Sequence, residues 1–286
     1  MGGFLAQILN GLQYGLLLFL ISSGLTLIFG VMGVINLAHG SLFMIGAYLA
    51  YVVAGLTGQF WLALPAAVVG GLVFGAVLER GLFRKFRQRE HLDQVLLTFA
   101  LILLFEEARA ALIDNQFHAV PVPPALDFSV PVIGGFAYSA YRLAVLAICL
   151  AVAGGMVAFV ERTRIGASIR AAAENSEMVD LLGLDARLIH TLVFASGTAL
   201  AMLAGALAAP LQSVYPGMGD GFLILSFIVV VIGGLGSIAG AFWAALLVGM
   251  IDTLGKVYLP EMAGIAVCGM MALVLLWRPS GLFSRG

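Results

Sequence analysis

The stretch GVMGVINLAHGSLFMIGAYLAYVVA, Gly30 to Ala54, is apolar enough to lie in a bilayer, yet Asn36, His39, Gly40 and Ser41 interrupt it near the middle. Hydrocarbon offers no water to backbone groups that a helix leaves unpaired. Such a break has to be buried in protein or line a wet cavity. The stretch therefore belongs to a folded bundle of helices and not to a lone membrane anchor. Asn36 and His39 are expected to face the bundle interior or a subunit interface, and to hold the bend more than to touch a solute.

The rest of the chain agrees. It has 286 residues, 62% hydrophobic and 10% charged. A soluble domain of this size could not cover its surface with so few polar groups. Runs of about 20 apolar residues recur, each able to cross a hydrocarbon core of roughly 30 Å. Alternating short strands of the barrel kind are absent. The fold class is all-α, a polytopic helical membrane protein of one domain spanning 1–286.

Eight or nine spans are expected, two of them discontinuous. Apolar segments run from about Phe4 to Phe29, through the broken stretch to Ala54, then Trp61 to Phe83, Asp93 to Ile113, Arg142 to Val160, His190 to Pro210, Phe222 to Val257 and Met262 to Trp277. The N-terminus lacks a basic leader and reads as a retained first span. Lys and Arg gather in cytoplasmic loops. That places Arg84 to Arg89, the hydrophilic segment Glu161 to His190 and the tail with Arg278 and Arg285 inside. The proline-bearing loop after Asp114 lies outside, as does the N-terminus. The C-terminus is cytoplasmic.

Phe222 to Val257 holds 36 residues, long for one span and short for two, and its middle is GGLGSIAG, Gly233 to Gly240. Glycine at that density specifies a helix poorly. Gly233, Gly234, Gly236 and Ser237 thus form a second break to set beside Asn36, His39, Gly40 and Ser41. The two regions read as a weak internal repeat, of the sort that places discontinuous helices at a translocation path. Elsewhere, Gly197, Ala201, Gly205 and Ala209 recur every four residues, as do Ala67, Gly71 and Gly75. Such stripes let helices approach closely.

Several chemistries are missing. GMIDTLGKV, Gly249 to Val257, is the nearest string to a phosphate-binding loop, and it has the wrong spacing and Val257 where Ser or Thr is needed. His39, His91, His118 and His190 are scattered and only Cys149 and Cys268 add sulfur, so no metal centre is expected. Both cysteines read as small buried hydrophobes. Neither a nucleophile elbow nor a His-Glu-x-x-His pair occurs. Glu106 with Arg109 and Asp252 with Lys256 have helical spacing near the outer interface and are expected to pair locally.

From Ala167 to Leu182 the hydrophilic segment reads as one amphipathic helix. Ile169, Ala172, Ala173, Met178, Val179 and Leu182 share a broad side, with Gly183 as the C-cap. A short helix of that kind fits a groove on another protein.

Four stretches, GVINLAHGSLFMIGAYLA, ERTRIGASIRAAAENSEMVDLLGLD, VVVIGGLGSIAGAFWAALLVG and LLWRPSGLF, occur in this order. Together they resemble the permeases of the branched-chain amino-acid ABC importers, and more closely the first of the two paired permease subunits. The resemblance implies a multi-pass protein of the bacterial inner membrane that translocates branched-chain or other small amino acids by alternating access. It implies a second homologous permease, two cytoplasmic ATPases that bind ATP and Mg, and a periplasmic binding protein as partners, with no nucleic acid. This chain would bind no cofactor and catalyse no reaction itself. The resemblance places the ATPase-coupling contact within 161–188, on Ala172, Ala173, Glu174, Asn175, Leu182 and Gly183. Relatives of this architecture take urea or short amides, and a channel or scaffold role stays open from the residues alone. No residue discriminates leucine from urea.

Overall fold

The computed structural model describes residues 2–87, 89–132 and 136–283, and Arg285 lies outside them. Helices α1 (Gly2–Met32), α2 (His39–Thr57) and α3 (Ala63–Leu78) come first. A π-helical turn, Glu79–Phe83, then leads into the short α4 (Arg84–Phe86). After α5 (His91–Leu112), strands β1 (Ser129–Val132) and β2 (Phe136–Ser139) pair antiparallel, with Ser129 opposite Ser139 and Val130 opposite Tyr138. Val130 and Tyr138 are strand formers and suit this pairing. Then follow α6 (Ala140–Arg162), α7 (Arg164–Glu174), α8 (Ser176–Leu181), α9 (Ala186–Ala208), α10 (Met218–Gly233), α11 (Ile238–Tyr258) and α12 (Ala263–Trp277).

Among the described residues, seven helices or helical runs are long and apolar enough to cross a membrane, and α10 is a shorter apolar one. Helix α5 also has spanning length, but Asp93, Glu106, Glu107 and Arg109 dilute its apolar character. The chain is a multi-pass helical membrane protein. Large apolar side chains face outward on α3 (Val73, Val77), α5 (Leu103, Leu104) and α12 (Leu273, Leu276). An apolar belt of that extent is natural against lipid.

Helices α1 and α9 form the centre, enclosed over most of their length. Helix α1 is apolar all round through Leu16 to Ile21, as a core helix is. It packs mainly on α11 and α9, while α9 also packs on α2 and α3. The small-residue stripes make these contacts. A Cβ on Gly71 would lie 2.5 Å from Ala199 Cα, and one on Gly205 would overlap Phe43 O. Cys149 is buried, but Cys268 is exposed on α12. The expectation of two buried thiols fails there because α12 presents most of its surface outward.

Both local charge pairs form. Arg109 Nε donates to Glu106 Oε2 at 3.2 Å, and Lys256 Nζ to Asp252 Oδ2 at 2.6 Å. Arg109 does not snorkel to water. It is buried, and its guanidinium also donates to Asp114 O and Asn115 Oδ1.

Candidate functional site

The first break turns the chain back into the bundle. Helix α1 ends at Met32, with Gly33 at φ 65° donating its N–H to Phe29 O. Six residues later, His39 opens α2 and its Nε2 donates to Ile21 O at 3.0 Å. Ile21 lies eleven residues before the end of α1, about 16 Å along its axis at 1.5 Å per residue. Residues 33–38 are thus re-entrant. Asn36 shapes the turn, its Oδ1 accepting the Ala38 N–H at 3.1 Å and its O accepting the His39 N–H at 3.2 Å. Asn36 is 1% exposed and His39 0%. Gly40 and Ser41 are buried with them in the first turn of α2.

A second re-entrant segment, 209–217, arrives from the opposite end. Proline and glycine at Pro216 and Gly217 mark it, the latter at φ 73°, and Met218 opens α10. The helix begins four residues before the apolar run suggested. The outer loop and helix α5 hold this segment. His118 and Val214 exchange backbone hydrogen bonds, and Glu106 Oε1 accepts the Gly217 N–H at 3.1 Å. The starts of α2 and α10 touch inside the bundle. A Cβ on Gly40 would lie 2.5 Å from Gly219 O, and one on Gly219 would overlap Gly40 O.

The glycine cluster Gly233, Gly234, Gly236 and Ser237 plays a different part. It is a turn between two packed helices, α10 and α11, at the bundle end that holds the end of α1. Gly233 and Gly234 are buried, and Gly236 is exposed. Gly30 of α1 lies against Gly236. Ser237 Oγ accepts the Gly240 N–H at 3.1 Å and caps α11. The freed carbonyls of Ile232 and Gly233 accept N–H groups of Leu282 and Phe283 in the tail. Those two carbonyls are thus paired within the chain's own fold.

The hydrophilic segment makes two helices, not one. Asn175 is extended, at φ −157°, and its Oδ1 accepts the Met178 N–H at 2.9 Å. The asparagine ends α7 and caps α8. The sequence signal was Asn175 three residues ahead of Met178, hidden inside an otherwise helical pattern. Gly183, at φ 80°, closes α8: its N–H reaches Asp180 O and the Leu184 N–H reaches Val179 O. These are the paired bonds of a Schellman ending. Asp180 Oδ1 accepts the Ala186 N–H, and Asp185 Oδ1 caps α9 through Arg187 and Leu188. At the other side, Thr163 caps α7 and Arg170 donates to Val160 O.

The break at Asn175 redistributes the faces. Ile169, Ala172 and Val179 turn into the bundle, with Ala172 only 3% exposed. Ala172 therefore packs on its own chain and offers no surface to a partner. Ala173, Glu174, Asn175, Leu182 and Gly183 are exposed. So are Met178 and Leu181, the latter at 81%. The exposed apolar cap of α8, centred on Leu181, was not singled out from sequence, because a single helix over 167–182 hides it.

Behind this segment lies a buried charge. Glu79, in the π turn, is 0% exposed. Its Oε2 accepts Thr191 Oγ1 at 2.7 Å and Arg84 Nη2 at 3.1 Å. Arg87 contacts His190 Nδ1. These contacts tie the end of α3 to the first turns of α9. Among the described residues no cluster of His, Cys, Asp and Glu is fit to hold a metal ion.

The chain matches the family described as branched-chain amino acid transport system, permease component, over residues 7–275. It is 31% identical to the high-affinity branched-chain amino acid transport system permease protein BraD of Pseudomonas aeruginosa, over 99% of this chain and 96% of BraD. It is 30% identical to LivH of Escherichia coli K12, a protein of the same description, over the same shares. With LivM of that organism, also a permease protein of that system, it shares 27% identity over 91% of this chain and 66% of LivM. No solved structure matches it. The chain belongs to the permease component family of branched-chain amino acid transport systems.

Proposed function

We propose that this chain is one permease subunit of an ATP-driven ABC importer that carries branched-chain amino acids across the bacterial inner membrane. The observation that carries the reading is similarity over nearly the full length of BraD and LivH, both named for that transport. Similarity to LivM supports a second, homologous permease as partner. The N-terminus then lies outside and the C-terminus inside, with α7 and α8 in the cytoplasm.

In this reading two ATPase subunits hold ATP and Mg, and this chain binds neither. The apolar cap of α8, Met178, Leu181 and Leu182, enters a groove on one ATPase. A push on α8 reaches α9 through the Gly183 ending and the Asp180 and Asp185 bonds. Helix α9 is central and joined to α3 through Glu79, so its displacement moves the bundle as a body and not as a loop. A binding protein delivers the amino acid on the outer face. Only ligands that bind the two states unequally shift such an equilibrium, and ATP-driven closure of the ATPases supplies that difference.

The test is reconstitution of this chain with its second permease, ATPases and binding protein in proteoliposomes. ATP-dependent uptake of labelled leucine, suppressed by isoleucine and valine but not by urea, is the expected outcome. Solute flux through this chain alone without ATP would replace the reading with a channel, and urea uptake would replace the substrate.

A further inference from the structure

At the end of the bundle opposite α8 lies a cleft of about 290 Å³, at the small end of the roughly 300–1,000 Å³ spanned by small-molecule sites. Helices α1, α6, α9, α10 and α11 line it. Leu17, Ala208 and Phe222 supply an apolar part. Phe222 sits one turn into α10, its ring 4.2 Å from that of Phe43 in α2. The cleft floor thus adjoins the place where the two re-entrant segments meet.

The polar part carries both signs of charge. Arg142 Nη1 donates to Asn10 Oδ1 at 3.1 Å and Gln13 Oε1 at 3.3 Å, both neutral. Among the described residues no carboxylate pairs with it, and a guanidinium has five N–H donors to place. Asp252 is also buried and lines the same cleft. Its Oδ2 takes Lys256 Nζ, and its Oδ1 accepts no hydrogen bond among the described residues. Gln212 Nε2 is buried without a partner. An unpaired cation, a half-used buried carboxylate and an apolar wall within one small cleft are complementary to a solute that carries both charges and a hydrocarbon body.

We propose that this cleft binds an α-amino acid with a branched aliphatic side chain, its carboxylate on Arg142, its ammonium on Asp252 Oδ1 and its side chain against Leu17 and Phe222. The inference rests on the amino-acid import reading, and adds to it an outward-facing site built within one chain. Urea offers no charge to either group.

The test uses the purified permease–ATPase complex without binding protein, with the shift of its thermal midpoint as the readout of ligand affinity. L-leucine is compared with L-leucinol, which lacks the carboxylate, with 4-methylpentanoate, which lacks the ammonium, and with urea. Leucine is expected to bind about tenfold or more tightly than either single-charge analogue, each of which forfeits one charge-assisted bond, and urea to give no shift. Arg142→Gln is expected to erase the advantage of leucine over leucinol, with Arg142→Lys keeping most of it. Asp252→Asn is expected to erase the advantage over 4-methylpentanoate. A variant changed only in folding would not alter one ratio and spare the other. If a variant does not fold, the ligand series on the unaltered complex decides. Equal shifts with leucine, leucinol and 4-methylpentanoate would overturn the site. So would absence of any leucine shift in a complex whose proteoliposomes import leucine, and the function would then stand without it. Failure of those proteoliposomes to import leucine overturns both.

Discussion

Replacing Thr191 with Val tests whether the Glu79 contact holds α3 to α9. The Thr191 hydroxyl has one proton and two acceptors in reach, Glu79 Oε2 at 2.7 Å and Arg187 O at 3.0 Å. The ionised, nearer oxygen takes it. Valine fills the same space but leaves Glu79, wholly enclosed, with Arg84 alone. A hydrogen bond to a charged group contributes about 1.5–3 kcal/mol, and that is the expected loss. Thr191→Ser keeps the donor and is expected to lose less than about 1 kcal/mol, the share of one methyl group. Arg84→Met removes the counter-charge. A fully buried pair broken this way costs about 3–5 kcal/mol. The Arg84 side chain is 35% exposed, so water already screens the pair and about 2–3 kcal/mol is the better expectation. The two changes share one carboxylate, so their sum is not additive. The assay is unfolding of the purified protein by SDS titration in mixed micelles, followed by circular dichroism. Valine and serine variants of equal stability, both within about 0.5 kcal/mol of the parent, would refute the argument, since surface changes alone fall in that range.

Other outcomes follow from the same geometry. Gly205→Ala drives a methyl into Phe43 O and is expected to cost about 1–3 kcal/mol; Gly155→Ala, with nothing within 4 Å of the new atom, is expected to gain about 0.5–1 kcal/mol, both read in the same SDS titration. Tyr141→Phe removes the 2.9 Å bond to Leu207 O in the last turn of α9, leaving a buried carbonyl at a cost of about 1–3 kcal/mol. Leu181→Glu with Leu182→Glu is expected to abolish substrate-stimulated ATP hydrolysis by the assembled transporter while the chain still inserts, as judged by its yield in washed membranes. Gly183→Pro is expected to do the same, because proline cannot adopt φ 80° and lacks the N–H given to Asp180 O.

Much of this architecture is legible in the chain because the bilayer leaves few alternatives. Apolar length gave the spans, and four-residue stripes of glycine and alanine marked which helices touch. Glu106 with Arg109 and Asp252 with Lys256 were readable because i,i+3 and i,i+4 neighbours meet on any helix. What failed were features set by distant contacts. Ala172 and Ala173 look alike in sequence, but they point about 100° apart on α7, and only the first meets the bundle. The second break looked like the first by composition. In the fold, Leu282 and Phe283 donate to the Ile232 and Gly233 carbonyls, fifty residues earlier, and the break is a turn between α10 and α11. The segment that meets the first break is 209–217, whose Pro216 and Gly217 fall in the gap between the apolar runs ending at Pro210 and opening at Phe222.

That exchange of partners gives the INLAHG stretch its physical meaning. A helix that starts inside a bundle exposes unpaired N–H groups in its first turn. Two such starts, α2 and α10, meet at Gly40 and Gly219. A side chain at either position would enter the other's backbone, so both must be glycine for the segments to meet. Once they meet, the depth of α2 is fixed, and His39 falls level with Ile21, eleven residues before α1 ends. The imidazole then anchors that depth on α1, and Asn36 folds the six residues that must reach it. The polar residues are thus consequences of the crossing, and the crossing is a consequence of two glycines 179 positions apart. Repacking Gly40 would be expected to displace His39 from Ile21 O even though neither residue of that bond is changed.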